Sequence, residues 1–189
     1  MTTMWARNKQ KTGFTIVELL IVIVIIGILA AITIVAYNGI QQRANNSSTI
    51  TAVNQTVKAI SSYIATNNTY PSTGALCLVP STTCTAGGTA IAVSQSTIDS
   101  IQTVANLPKS ISSARPEYAG IVYNYGSTRT FNGQSQPAVL FYSLLGDAQS
   151  CGVANTTNSG GTVMSSGNYA VSGGGYTTCV VSIQGPAHS

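Results

Sequence analysis

The chain has 189 residues, 44% of them hydrophobic but only 6% charged, with a formal charge of +4 and a single histidine. A typical soluble domain carries about 25% charged residues, so the exposed surface here is largely neutral Ser, Thr, Asn, Gln and Gly. Three of the eight cations, Arg7, Lys9 and Lys11, precede Phe14, and without them the formal charge falls to +1, which argues against a nucleic-acid binder acting through bulk electrostatics.

Residues 1–13 are polar and basic, a composition that holds a segment on the cytoplasmic side of a membrane. Phe14–Val17 and the run Leu19–Ala36 follow, broken only by the carboxylate of Glu18 and relieved by Gly27 and Thr33. A spanning helix needs about 20 residues, which this stretch supplies. A general secretory signal is cut after its apolar core, and no clear Ala-x-Ala site followed by a polar start lies there. From Tyr37 the pattern turns amphipathic. Ile50, Val53, Val57, Ile60 and Ile64 step by 3, 4, 3 and 4 residues, one face of a helix. The spacing predicts a helix continuing to Thr66 and stopping at the breaker-rich run Asn67-Asn68-Thr69-Tyr70-Pro71. Unbroken from Phe14, such a helix is on the order of 80 Å long. Gly27 and Gly39 each weaken it by about 1 kcal/mol relative to alanine.

Residues 72–95 read as a loop region with Pro80, Gly87 and Gly88. Ser96-Thr97-Ile98-Asp99 fits a capping-box start with Ser96 as N-cap, and Ile98, Ile101 and Ala105 give that short helix one apolar face. Ala119–Tyr125 and Ala138–Leu145 read as strands around an Asn132-Gly133 turn. Asn168–Ser172 and Thr178–Ile183 read as a second pair across Gly173-Gly174-Gly175. The fold class is therefore α+β, with a small antiparallel sheet laid on the amphipathic half of the long helix. The four cysteines, Cys77, Cys84, Cys151 and Cys179, lack the spacing of a metal knuckle and imply two disulfides formed in an oxidising compartment. Three pairings are possible. Cys77–Cys84 with Cys151–Cys179 closes a local loop each time.

Lys11-Thr12-Gly13-Phe14-Thr15-Ile16-Val17-Glu18 and the apolar run behind it resemble the N-terminal signal of type IV pilins and of type II secretion pseudopilins. The resemblance covers roughly residues 7–44. It implies four segments: a leader removed after Gly13 (1–13), a membrane and filament-core half-helix (14–36), an amphipathic half-helix (37–66) and a disulfide-bonded head (67–189). It implies cleavage between Gly13 and Phe14 by a prepilin peptidase, N-methylation of Phe14, and a pairing of Glu18 with the Phe14 amine, its own or a neighbour's, during assembly. A disulfide bracketing the C-terminal strands is common in such pilins. Val35 stands where many members carry a proline. The implied partners are other copies of the chain and other pilins in a helical filament, the peptidase, the inner-membrane assembly machinery and the bilayer. DNA or a host surface is a further partner that the sequence leaves undetermined. The implied locations are the inner membrane for the precursor and the cell exterior for the filament, with adhesion, surface motility or DNA uptake as the role.

No active site is expected, and no cofactor or metal. The carboxylates are only Glu18, Asp99, Glu117 and Asp147. No G-x-S-x-G is present, Gly173-Gly174-Gly175 lacks the Lys-Ser/Thr of a phosphate loop, and His188 sits in the tail. Tyr118, Tyr123, Tyr125 and Tyr142 occupy strand positions and read as packing residues. The Asn-x-Ser/Thr sites at Asn68 and Asn155 carry little weight in so polar a chain. A pseudopilin acting in protein export is the alternative reading, and the acid-poor stretch after Asp147 offers little to the calcium that such proteins often bind. A membrane-anchored binding domain that never polymerises is the other alternative; Glu18 speaks against it.

Overall fold

A computed structural model describes residues 13–79, 84–86, 89–109, 111, 120–126, 130–131, 134–135, 137–153, 156–157, 169–171 and 175–186. The chain divides into two units, Met1–Gln41 and Gln42–Ser189. One helix, α1 (Ile16–Asn67), contributes to both. Leader residues 1–12 lie outside the described residues, as do Pro80, Gly87, Gly88, Glu117, Tyr118, Asn132, Gly133, Asn155, Gly173, Gly174 and His188.

In the first unit the described chain is three residues of lead-in and then α1. Its large apolar side chains from Ile16 to Ile34 are all exposed. The helix runs through position 35, whose side chain lies outside the described residues.

In the second unit α1 supplies one wall of the core. Val53 and Ile60 are fully buried and Ile64 nearly so, while Ile50 and Val57 pack against them half-buried. The buried stripe is wider than the aliphatic spacing predicts, because Asn46, Thr49, Ala52, Thr56 and Ala59 are buried too. Thr56 is admitted because its hydroxyl donates to the Ala52 carbonyl one turn back, at 2.9 Å. The helix ends at Asn67; Asn68 takes a left-handed φ of 51°, which asparagine tolerates, and its N–H still reaches the Ile64 carbonyl at 2.8 Å.

The facing wall is a six-stranded sheet in the order β1-β4-β7-β10-β8, with β9 also on β10. Its strands are β1 (Leu76–Cys77), β4 (Val122–Tyr125), β7 (Ala138–Leu145), β8 (Thr156–Thr157), β9 (Tyr169–Val171) and β10 (Tyr176–Ile183). All pairings are antiparallel. β7 and β10 pair along their whole length, from Tyr176↔Leu145 to Ile183↔Ala138. Alternate residues of the two, Leu140, Tyr142 and Leu144 with Cys179, Val181 and Ile183, join the core with the α1 stripe. Two further ribbons, β2–β3 (Cys84–Ala86 and Thr89–Ile91) and β5–β6 (Thr130–Phe131 and Gln134–Ser135), stand apart from this sheet.

Several local expectations need correction. The 72–95 region is not merely loop. It contains β1, β2 and β3, with Leu76–Val79 and Cys84 buried. The short helix α2 spans Gln95–Gln102 and its N-cap is Ser94, not Ser96. No capping box forms, because the Ser94 hydroxyl lies against the Thr97 hydroxyl at 3.0 Å and Asp99 accepts from Gln95 Nε2 at 2.8 Å. β4 begins at Val122 rather than at 119, since Gly120 sits at φ 84° and turns the chain into the strand. β10 begins two residues earlier than the apolar run, at Tyr176.

Candidate functional site

The N-terminal site is built by the first turn of α1. Thr15 precedes the helix and Glu18 is its only first-turn acid. Glu18 Oε2 accepts from the Thr15 backbone N–H at 2.9 Å and from the Thr15 hydroxyl at 2.8 Å. The Thr15 oxygen in turn accepts from the Glu18 N–H at 3.2 Å. This is a reciprocal capping box, Thr-x-x-Glu, which satisfies two of the donors that a helix start leaves open. The Thr-x-x-Glu spacing is its sequence signal, and it gives Glu18 a partner besides the Phe14 amine. Both bonds use Oε2. The carboxylate also lies at the positive end of the helix dipole, where a negative charge is favoured.

Around this cap the side chains are open. Phe14 is 89% exposed. A Cβ placed on Gly13 would meet nothing within 4 Å, so packing among the described residues makes no demand for glycine there. Behind the cap, α1 is the one helix among the described residues long and apolar enough to cross a membrane, and that window is wholly unburied. Its internal hydroxyl, on Thr33, is satisfied by the Ala30 carbonyl at 2.9 Å. An apolar surroundings requires this of every polar group.

The cysteines form Cys77–Cys84 and Cys151–Cys179, with Cα separations of 5.4 and 5.8 Å. The first joins β1 to β2. The second ties β10 to the segment that follows β7, where Tyr142 Oη also donates to the Cys151 carbonyl at 2.6 Å. Tyr123 and Tyr142 are buried, and burial pushes both phenols up from their ordinary range. Tyr125 stacks edge-on against Tyr70 at 5.5 Å.

One polar cluster escaped the sequence reading. Asn46 is 8% exposed, and its amide donates to the Leu145 carbonyl at 2.9 Å and accepts from the Leu145 N–H at 2.8 Å. Gln42 adds a second donor to the same carbonyl at 2.8 Å. These bonds fix the last residue of β7 to α1. Asp99 and Asp147 are both exposed. Among the described residues, no group of three or more His, Cys, Asp or Glu is placed to hold a metal ion.

A capped helix with a membrane-length apolar start, followed by a small disulfide-bonded antiparallel sheet, is the α+β architecture of pilin-like proteins. The family described as "Prokaryotic N-terminal methylation motif" matches residues 8–34. Among similar proteins, the fimbrial protein of Neisseria meningitidis is 37% identical over 76 residues, 40% of this chain and 45% of that protein. The type II secretion system core protein G of Aeromonas hydrophila is 31% identical over 67 residues, 35% of this chain and 47% of its own length. The type IV major pilin protein PilE1 of Neisseria gonorrhoeae is 38% identical over 64 residues, covering 34% and 39%. The matched stretch thus spans less than half of each of these relatives. No solved structure matches the chain significantly. The N-terminal segment thus carries the methylation motif and is similar to the corresponding stretch of type IV pilins and type II secretion core proteins G.

Proposed function

We propose that the chain is a prepilin whose mature form is a structural, non-catalytic subunit of an extracellular type IV pilus. In this reading prepilin peptidase cuts between Gly13 and Phe14 and methylates the new amine. The apolar half of α1 holds the precursor in the inner membrane. The assembly machinery then transfers it into a helical filament of copies and other pilins, exchanging lipid contacts for protein contacts. The observation that carries this reading is the α1 surface from Ile16 to Ile34, apolar on every side and exposed, with one carboxylate in its first turn. Among the described residues of the first unit nothing covers it, which supports lipid or other copies as its cover. A filament of this kind supports adhesion, surface motility or DNA uptake.

The cap gives Glu18 a second task. Cleavage exposes an amine at Phe14 one residue before the cap. Glu18 can keep Thr15 on Oε2 and offer Oε1 to that amine, in its own chain or in a neighbour. A carboxylate has lone pairs enough for both, and without a partner its place in an apolar core costs a few kcal/mol. Glu18→Ala is expected to lower filament yield sharply while leaving subunit amounts in the membrane unchanged; normal yield would remove Glu18 from assembly. Sheared surface filaments analysed by intact mass should contain this chain without residues 1–13 and with one added methyl group. Retention of the leader in assembled subunits would refute the processing.

A pseudopilin filament serving protein export is the second reading, favoured by the similarity to core protein G. The same filament preparation separates them. A pilus places this chain in long surface filaments, whereas a pseudopilin leaves it in the cell envelope and its deletion blocks export.

A further inference from the structure

Charge is scarce in the second unit. The cations of its described residues are Arg43, Lys58 and Lys109, all exposed. Lys58 and Lys109 lie in two adjoining hollows, of about 420 and 380 Å³, along the outer face of α1. The hollows share Thr51 and Gln55. Gln55 Nε2 bridges across them to the Asn106 carbonyl at 3.2 Å. The lining is otherwise hydroxyls, amides, Ala52, Ala59, Ala105 and Pro108, with no carboxylate. Together they make one polar groove with an ammonium in each part.

The other flank of α1 carries an exposed acid on a stiff turn. Gly146 and Ala148, on either side of Asp147, both have positive φ, 93° and 52°. The turn is held by Gly146 N–H to the Gly175 carbonyl at 2.6 Å, Thr177 Oγ1 to the Gly146 carbonyl at 2.7 Å, and Gln149 N–H to Thr177 Oγ1 at 2.9 Å. Asn46 grips Leu145 on one side of it, and Gly152 on the other side lies against Ile50. Gln55, in the groove, lies about half a turn around the helix from Asn46 at about 100° per residue. Lys109 already has a partner within the chain, so Lys58 is the cation that the groove offers.

We propose that these two flanks meet between copies: the Asp147 turn of one copy docks against Lys58 in the groove of the next. The partner is a second copy of this chain because it carries the complementary charge on a preformed, exposed turn, and because the two patches lie on opposite flanks. Opposite, unlike patches form a heterologous contact, which propagates into an open helical series instead of closing as a two-fold pair. The contact is polar and exposed, so it selects register and weakens with salt more than it adds binding strength. It rests on the filament reading above and names the head contact within it.

The test uses the full-length chain in a cell that assembles it. All four native cysteines are in disulfides, so Lys58→Cys with Asp147→Cys introduces one new reactive pair. Mild oxidation of sheared filaments should give a ladder of linked subunits that collapses on reduction, while each single variant yields at most dimers. In parallel, Lys58→Glu or Asp147→Lys should weaken the contact by up to about fivefold and make filaments fall apart at lower salt. The two reversals combined should restore the original salt tolerance. If the cysteine pair blocks assembly, the reversal pair decides. Filaments that form normally but give neither a ladder nor restoration would overturn this docking and leave the filament reading standing. Absence of any filament from the unsubstituted chain would overturn both.

Discussion

Asn46 shows what a single residue contributes that composition conceals. It stands in Asn45-Asn46-Ser47-Ser48-Thr49, where every neighbour is equally polar, and only the packed structure reveals that one of the five holds both backbone groups of Leu145. Asn46→Ala leaves the Leu145 N–H without this partner in a part-buried place and removes one of two donors from its carbonyl. Loss of the pair is expected to cost about 1–3 kcal/mol, read as a lower urea midpoint for the purified full-length chain in detergent. Asn46→Asp is expected to do no better, since it keeps the acceptor but sets a carboxylate oxygen against the carbonyl. Thr15 is the contrasting case. Its role was legible as Thr-x-x-Glu, a pattern that needs no tertiary knowledge. Thr15→Val removes the cap hydroxyl and is expected to cost the first turn of α1 about 1 kcal/mol, seen as faster amide exchange at residues 16–19 with the sheet unit unaffected.

At the scale of elements, α1 is one helix with two surroundings, and the same substitution should report both. Ile60 is fully buried against the sheet, whereas Ile26 is 59% exposed. Ile60→Ala is expected to lower the stability of the sheet unit by about 2–5 kcal/mol through lost burial and the cavity left behind. Ile26→Ala should leave that unfolding transition unmoved, because nothing in the sheet unit depends on it. Helical spacing predicted this division well: Val53, Ile60 and Ile64 are buried. It could not predict Thr49 or Thr56 beside them, since a hydroxyl that bonds its own helix looks identical in sequence to one facing water. The sheet was legible in proportion to strand length. β7 and the end of β10 are long apolar runs. β1, β2 and β3 are two or three residues each, too short for any alternation to show; β1 is placed by pairing with β4 and by the Cys77–Cys84 bond, which also ties in the β2–β3 ribbon. β10 has every residue after Tyr176 buried, so period-two alternation is hidden there as well.

At the scale of the whole molecule, scarcity of charge shapes the response to pH. The groups in the sheet unit whose ionisation is most clearly altered by folding are Tyr123 and Tyr142. Both phenols are pushed up by burial, and their hydroxyls donate to the Ser72 and Cys151 carbonyls at 2.9 and 2.6 Å. A phenol ordinarily loses its proton near about pH 10. Below that pH both tyrosines are neutral in the folded and unfolded chains and contribute no slope. Above it the unfolded chain releases these protons while the folded chain retains them, so the native state binds more protons and stability must fall as pH rises. Each phenol contributes a slope of up to about 1.4 kcal/mol per pH unit in that window. The expected curve therefore descends above about pH 10, with the two disulfides still intact. Tyr142→Phe is expected to lower stability at pH 7, because the Cys151 carbonyl loses its donor beside the Cys151–Cys179 bond, and yet to flatten the alkaline descent. A parallel, undiminished descent in Tyr142→Phe and Tyr123→Phe, followed by thermal unfolding at half-unit steps from pH 8 to 11, would mean that other groups govern the alkaline limit. Opposite changes at neutral and alkaline pH separate titration of a buried phenol from simple loss of packing, which would lower both ends of the curve alike.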